Sequence, residues 1–485
     1  MGERGVHHGR RLPVAVEHLT SELNLDSCLL SPVSCLLSPA IMISSALANL
    51  IQSTADVLYM PILVVILLTT GVFLTIRYRL VQIVRFPQAL REFWSREEGG
   101  GGGVLSPFQA FMTALGATVG TGNIAGVAAG IVSGGPGALF WIWAYGFVAT
   151  AIKFTEAVLG VTFREAAGDT VRSGPMYYLR DGLKSRWLAA TYALVAGVAA
   201  LTTTPFTQTN SIALVWNTQF GVPKVASGVA IAVLTWLVII GGIKSIGRVA
   251  EKLTPLKVGL YFFGGLIVIV SFASRIPDVL ALVVREAFSF KAAAGGGLGI
   301  FVAMRYGLAR GMYANEAGYG TAAVAYGTAR SLRPERQGLN AVMEVFIVSC
   351  VTSTITAMTI LLTGAWQAGQ TSTAAVAEAF NAAMPGAGGW VVGISVFLFG
   401  YTTLIGWSYY GEQFLEYLVG ARVRLPYRWA YCLLIPFGAI TKVELVWAWG
   451  DLMNALQIFP NIVGVIGLSG LVAGVARGIK ARRAS

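Results

Sequence analysis

The sequence predicts an all-α membrane protein of about 11 transmembrane helices: one extra N-terminal span, then a 5+5 inverted repeat with two discontinuous helices. Three observations predict it. Of 485 residues, 55% are hydrophobic and 12% charged, with a mean hydropathy of +0.68; soluble domains carry about 25% charged residues. Lys and Arg crowd into alternate loops between apolar stretches. Two of those stretches, five spans apart, are interrupted by glycine halfway along.

Residues 1–56 read as a low-complexity extension in which Ser-Cys-Leu-Leu-Ser-Pro occurs twice, at 27–32 and 34–39. They form either a signal-like leader or sequence upstream of a natural start at Met42. His7, His8 and His18 all lie there, so the apolar part has no histidine relay or histidine-activated nucleophile. The cysteines show no metal-ligand spacing. Residues 57–105 comprise a first span, 57–76, and a basic amphipathic link with Arg77, Arg79, Arg85, Arg91 and Arg96. The glycine tract 99–103 reads as a flexible hinge. The first repeat, 106–273, holds spans near 106–131, 138–163, 188–216, 224–242 and 256–273. The second, 297–476, holds spans near 297–325, 338–363, 389–418, 427–441 and 447–476, with a short external helix at 374–383. A basic tail, 477–485, closes the chain.

Charge placement sets the orientation. Loops after spans one, three, five, seven and nine, with the tail, hold 5, 5, 4, 3, 3 and 4 Lys and Arg when residues within two positions of each loop are counted with it; the other loops hold 0, 1, 3, 0 and 1. The positive-inside rule then places the N-terminus outside and the C-terminus in the cytoplasm. A five-span unit crosses the membrane an odd number of times, so its second copy is upside down.

Span two contains Gly116-Ala-Thr-Val-Gly-Thr-Gly-Asn-Ile-Ala-Gly126. Glycine weakens a helix by about 1 kcal/mol relative to Ala, and unpaired peptide groups in hydrocarbon cost several kcal/mol. Glycines at GxxxG spacing, such as Gly116/Gly120, also serve close helix packing. Asn123 beside them, and a second interrupted stretch at Arg305–Gly320, favour opened helices whose freed peptide groups hold an ion or substrate. Free N–H groups at Thr121 and Gly122 suit a carboxylate, and carbonyls near Gly116 and Val119 suit a hard cation. Asn123 either caps the second half-helix or gives an oxygen to an ion.

Six stretches together resemble the alanine or glycine:cation symporter family: Thr118–Gly126, Gly134–Gly137 with Lys153–Glu156, Ser173–Tyr178, Gln208–Ser211, Arg310–Gly320 and Thr402–Glu412. The resemblance covers roughly 57–476 and implies the inverted-repeat fold of leucine-type sodium symporters. It also implies import of alanine or glycine with a sodium ion in a multi-pass cell membrane protein; a proton-coupled carrier is the alternative. The lipid bilayer is then its surrounding partner, with no nucleic acid and no cofactor besides the coupling ion. The pattern of that fold adds hydroxyls at Thr402 and Thr403 to the cation set of Gly116, Val119 and Asn123. Thr121, Gly122, Gln208, Tyr313 and Trp407 form the expected substrate set. Gln208 either bonds substrate or bridges helices, and Trp407 either walls the pocket or packs a helix contact.

Charged groups inside spans are costly and mark function or pairing. Lys153 and Glu156, three apart, read as an internal ion pair. Arg310, Asn315 and Glu316 at the second interruption read as a gate or clamp. The family usually carries an Asp where this chain has Val348, and Glu344, one turn earlier, is expected to substitute for it. A membrane enzyme is disfavoured without His in the spans or a GxSxG or HExxH motif. The missing P-loop excludes an ATP-driven pump. A channel is disfavoured because its broken helices usually recur by oligomerisation.

Overall fold

The computed structural model describes residues 50–51, 53–55, 57–94, 100–167, 170–291, 299–370 and 372–477. The chain divides into units 1–53 and 54–485. The histidines and the Ser-Cys-Leu-Leu-Ser-Pro repeat of the first lie outside the described residues, as does most of the basic tail. All that follows concerns the second unit.

The described chain is helical apart from one small hairpin, β1 Glu165–Ala167 and β2 Thr170–Arg172. A π-turn at Leu58–Leu63 leads into α1 Val64–Arg77, and α2 Phe86–Trp94 forms the amphipathic link. The first interrupted stretch gives α3 Pro107–Thr118 and α4 Ala125–Gly134. The helix α3 starts where it does because Ser106 and Gln109 cap each other's N–H groups, at 3.1 and 3.2 Å, with Pro107 in its first turn. Next come α5 Ala138–Thr162, α6 Arg186–Thr202, α7 Thr204–Phe220, α8 Lys224–Ile239, α9 Gly242–Ser271 and α10 Ile276–Ala287. The second interrupted stretch gives α11 Gly299–Asn315 and α12 Thr321–Gly327. Helix α13 Pro334–Phe346 runs through a π-turn into α14 Ser353–Thr363. The remaining helices are α15 Ser372–Ala383, α16 Gly388–Val419, α17 Arg424–Ile440, α18 Val443–Gly467 and α19 Ser469–Ala476.

By length and apolarity five described helical runs can cross a bilayer, with α6–α7 and α13–α14 each taken as one run, or up to seven if each sharply bent pair is one span. Helices α1 and α8 are apolar but shorter. At the centre lie α5 and α16, more than 70% buried over their apolar windows, with α3, α11, α12 and α13 packed around them. Outward faces of α8 and α9 expose Val229, Val233, Leu237, Phe263, Ile267 and Val270, an apolar surface suited to lipid.

Three sequence readings change. The fourth span is divided at Thr203, two residues before Pro205, which has no N–H to bond back into the preceding turn. Part of the glycine tract, Gly100–Gly103, is followed by anchored backbone rather than a free hinge: Val104 and Leu105 N–H donate to Thr328 O at 2.8 and 3.1 Å. The helix expected at 256–273 begins at Gly242, so Lys257 lies well inside a span and not at its edge. There it is fully buried, not part of the basic loop in which the charge count places it.

Candidate functional site

Helices α3 and α4 meet at 59°, joined by extended Gly120 and a single 3-10 turn, Thr121–Asn123. Gly120 and Gly122 are needed for close approach: a Cβ would lie 2.6 Å from Thr403 Oγ1 at the first and 2.5 Å from the Tyr313 ring at the second. Several of the freed peptide groups meet side chains. Thr121 N–H and Oγ1 donate to Gln208 Oε1, each at 3.0 Å. Thr403 Oγ1 donates to Ala117 O at 2.7 Å, and Asn123 Nδ2 reaches back across the break to Thr118 O at 3.1 Å.

The second break spans 316–320 and uses left-handed backbone at Glu316, Gly318 and Gly320 (φ 53, 97 and 84°), which glycine adopts without the Cβ penalty. Glu156 Oε1 accepts from Gly318 N–H (2.9 Å), Gly320 N–H (3.1 Å) and Asn461 Nδ2 (2.8 Å). Tyr145 and Tyr192 hydroxyls cover Ala317 O and Tyr319 O. Helices α5, α6 and α18 thus supply what the broken ladder lost.

Between the breaks lies a cavity of about 20 Å³ bordered by Gly120, Gly122, Gln208, Tyr313, Glu316 and Trp407, among others. That volume holds about one water. Glu316 Oε1 accepts from Trp407 Nε1 at 2.8 Å and Oε2 from Thr321 Oγ1 at 3.0 Å. The expected substrate set therefore converges: Gly122, Gln208, Tyr313 and Trp407 line one space, and Thr121 is bonded to one of them. Glu316, expected at a gate, lines it too. The arrangement offers peptide N–H groups at one end and a buried carboxylate at the other, with aromatic walls between.

The expected cation set is arranged otherwise. Gly116 O, Val119 O and Thr402 Oγ1 all accept from Lys257 Nζ, at 2.9, 2.6 and 2.5 Å. Thr403 is turned to Ala117 O. The Asn123 side-chain oxygen faces Thr352 Oγ1 and Ser353 Oγ, each 3.5 Å away.

Among the gate residues, the i, i+3 pairing of Lys153 with Glu156 gives way to tertiary partners. Lys153 Nζ lies 2.7 Å from Glu344 Oε1 and donates to Asn315 O (2.6 Å) and Thr118 Oγ1 (3.0 Å), tying the two breaks together. Glu344 also accepts from Tyr326 OH at 2.8 Å. Asn315 Oδ1 accepts from Ser349 Oγ at 2.9 Å. Arg310 lies over the Trp447 ring, 5.1 Å from its centre, and 4.0 Å from Asp451; Tyr313 stacks obliquely on the same Trp447.

Sequence reasoning missed Lys257, Asn461, Asp451 and Tyr192. Asn461 and Asp451 carried a signal, as isolated polar residues in the apolar run 447–476. Tyr192 carried none.

Comparison with known proteins places this geometry. The model of the sodium:alanine symporter family matches residues 44–484. A sodium/alanine symporter of Methanococcus maripaludis is 37% identical over 87% of this chain and 95% of its own length. A putative sodium/proton-dependent alanine carrier protein of Bacillus subtilis is 32% identical, covering 87% and 90%. In fold alone, the chain is similar to the crystal structure of a manganese transporter of Eremococcus coleocola. That similarity has a TM-score of 0.52 and 17% identity, over 73% of this chain and 76% of that one. With its family model matched almost end to end around two interrupted, side-chain-repaired helices, the chain belongs to the sodium:alanine symporter family.

Proposed function

We propose that this protein is a secondary carrier importing a small neutral amino acid, alanine or glycine, with sodium by alternating access. The observation that carries the reading is the cavity between the two breaks. Its ends suit a zwitterion: Glu316 for the ammonium, Thr121 and Gly122 N–H for the carboxylate. Gln208 Oε1 now accepts from Thr121, the place a substrate carboxylate oxygen would take, so Gln208 swings aside on loading. Since about 20 Å³ cannot hold alanine, Trp407 and Tyr313 move as well, which makes loading a conformational step.

The arrangement that accompanies this reading is the eleven-span one. In it α3–α9 and α11–α19 form two inverted halves after an extra first span, with the N-terminus outside and the C-terminus cytoplasmic. Arg310, Asp451, Tyr313 and Trp447 then close the site from outside. Taken as ionised, Lys153 and Lys257 face three buried carboxylates around the breaks, Glu156, Glu316 and Glu344. That balance favours one added cation. Asn123 Oδ1 with the hydroxyls of Thr352 and Ser353 is the oxygen cluster for sodium.

Counterflow tests the reading: proteoliposomes preloaded with unlabelled alanine take up labelled alanine against its gradient if the protein is a carrier, and a channel gives none. Two variants refine it. Glu316→Gln weakens a bond to a charged group, so KM for alanine is expected to rise about 10- to 100-fold. Trp407→Ala removes a wall, and labelled leucine, excluded by the unaltered protein, is expected to compete with alanine in the same assay.

A further inference from the structure

We propose that Lys257 is a tethered cation: its ammonium permanently fills the place between the first break and α16 where the sequence resemblance puts a sodium ion, and closes that place to sodium. Beyond its transport readout, this does not depend on the carrier reading above.

The partners of Lys257 suit an ammonium. Gly116 O and Val119 O can only accept. Thr402 Oγ1 lies within hydrogen-bond reach of Leu398 O (3.0 Å) and Phe399 O (3.2 Å) on its own helix. With its proton spent on one of these, it presents a lone pair to Nζ. Three acceptors at 2.5–2.9 Å need three N–H donors, and an ammonium has three whereas a neutral amine has two. The Phe399 ring lies 5.2 Å from Nζ, a further contact that suits a cation.

Among the described residues, no carboxylate holds Lys257 in a salt bridge. Helix α3 carries no charged residue, nor does α14. On α16 the carboxylates are Glu412, paired with Arg428, and Glu416, paired with Arg424 and Arg172. Glu378 is the acidic residue of α15, and Glu316 acts on Lys257 through space. Lys257 is therefore held by the broken helix, as a free ion would be. Pro255, two residues before it in α9, has no N–H to return to that helix, and the hydroxyl of its neighbour Thr254 donates to Met112 O of α3 at 3.1 Å.

A sodium ion must be captured in every cycle, and its release is what transmits the gradient. A covalently attached ammonium satisfies the same carbonyls without capture. It cannot dissociate, so it transmits no sodium gradient at this place. The cycle then involves one sodium ion fewer than the oxygen set would allow.

The test is equilibrium binding of sodium-22 to purified protein, with alanine counterflow in sodium or choline medium alongside. Lys257→Ala is expected to bind one sodium ion more per protein than the unaltered chain. Its counterflow is expected to fall at least 10-fold in choline and to recover in sodium. Equal sodium counts for the two proteins would overturn the proposal. Should Lys257→Ala fail to fold, Thr402→Val in the otherwise unaltered chain decides. Unchanged sodium binding, including none at all in both, supports the tethered ammonium, and loss of a bound sodium overturns it. Absence of counterflow from every preparation would reject the carrier reading, while the sodium counts would still decide on Lys257.

Discussion

Glu156→Ala is expected to abolish alanine counterflow, by 100-fold or more, and to lower the melting temperature of the purified protein. One carboxylate oxygen accepts from the N–H groups of Gly318 and Gly320 and from the amide of Asn461, and Glu156 is wholly buried. Removing it leaves three donors unpaired where water does not reach, each at roughly 1–3 kcal/mol. The left-handed segment at 316–320 then has no reason to hold its shape, and Glu316 leaves the cavity with it. Glu156→Gln keeps an accepting oxygen in the same place. It is expected to melt close to the unaltered protein and to retain measurable counterflow, which separates loss of shape from loss of charge.

Lys153→Met is expected to be nearly as damaging for a different reason. It leaves Glu344 buried and unpaired, and breaking a buried ion pair from one side costs about 3–5 kcal/mol. Glu344→Gln alone strands the ammonium at similar cost. The pair Lys153→Met/Glu344→Gln is expected to melt above either single variant, since neither charge remains to be stranded. It is still expected to transport poorly, because Lys153 also bridges Asn315 O at the second break to Thr118 at the first. Recovered stability without recovered counterflow would assign Lys153 to coupling the two broken helices. Equal recovery of both would reduce it to packing.

These expectations rest partly on residues that announce themselves and partly on residues that do not. Glycine where an apolar span should be continuous is a signal the backbone itself dictates, and it located both breaks. Gln208, Tyr313, Trp407 and Glu316 were found because they lie in the stretches that carry the family resemblance. Partners were another matter. Lys153 and Glu156 sit three apart on α5 and invite pairing by local geometry. Their actual partners come from α3, α11, α13, α18 and the second break, and local spacing carries no record of which helix packs where.

Lys257 was hidden by its neighbours. Lys244, Arg248 and Lys252 recur every four residues and share one exposed face, so a fourth basic residue looks like more of the same loop. The five-residue step from Lys252 turns Lys257 about 140° away from that face at 100° per residue. Periodicity alone could have separated it. The oxygens it occupies were read as a sodium site because carbonyls and hydroxyls suit either cation, and only the path of α9 decides between them.

The central claim is that two broken helices enclose a chamber for an amino acid zwitterion. A cryo-electron microscopy map of the protein saturated with alanine tests it most directly. The account predicts density between Glu316 and the Thr121–Gly122 turn, with Gln208 displaced from Thr121 N–H and both helices interrupted. A map with alanine bound elsewhere, or with either helix wound continuously past Gly120 or Gly318, would contradict it.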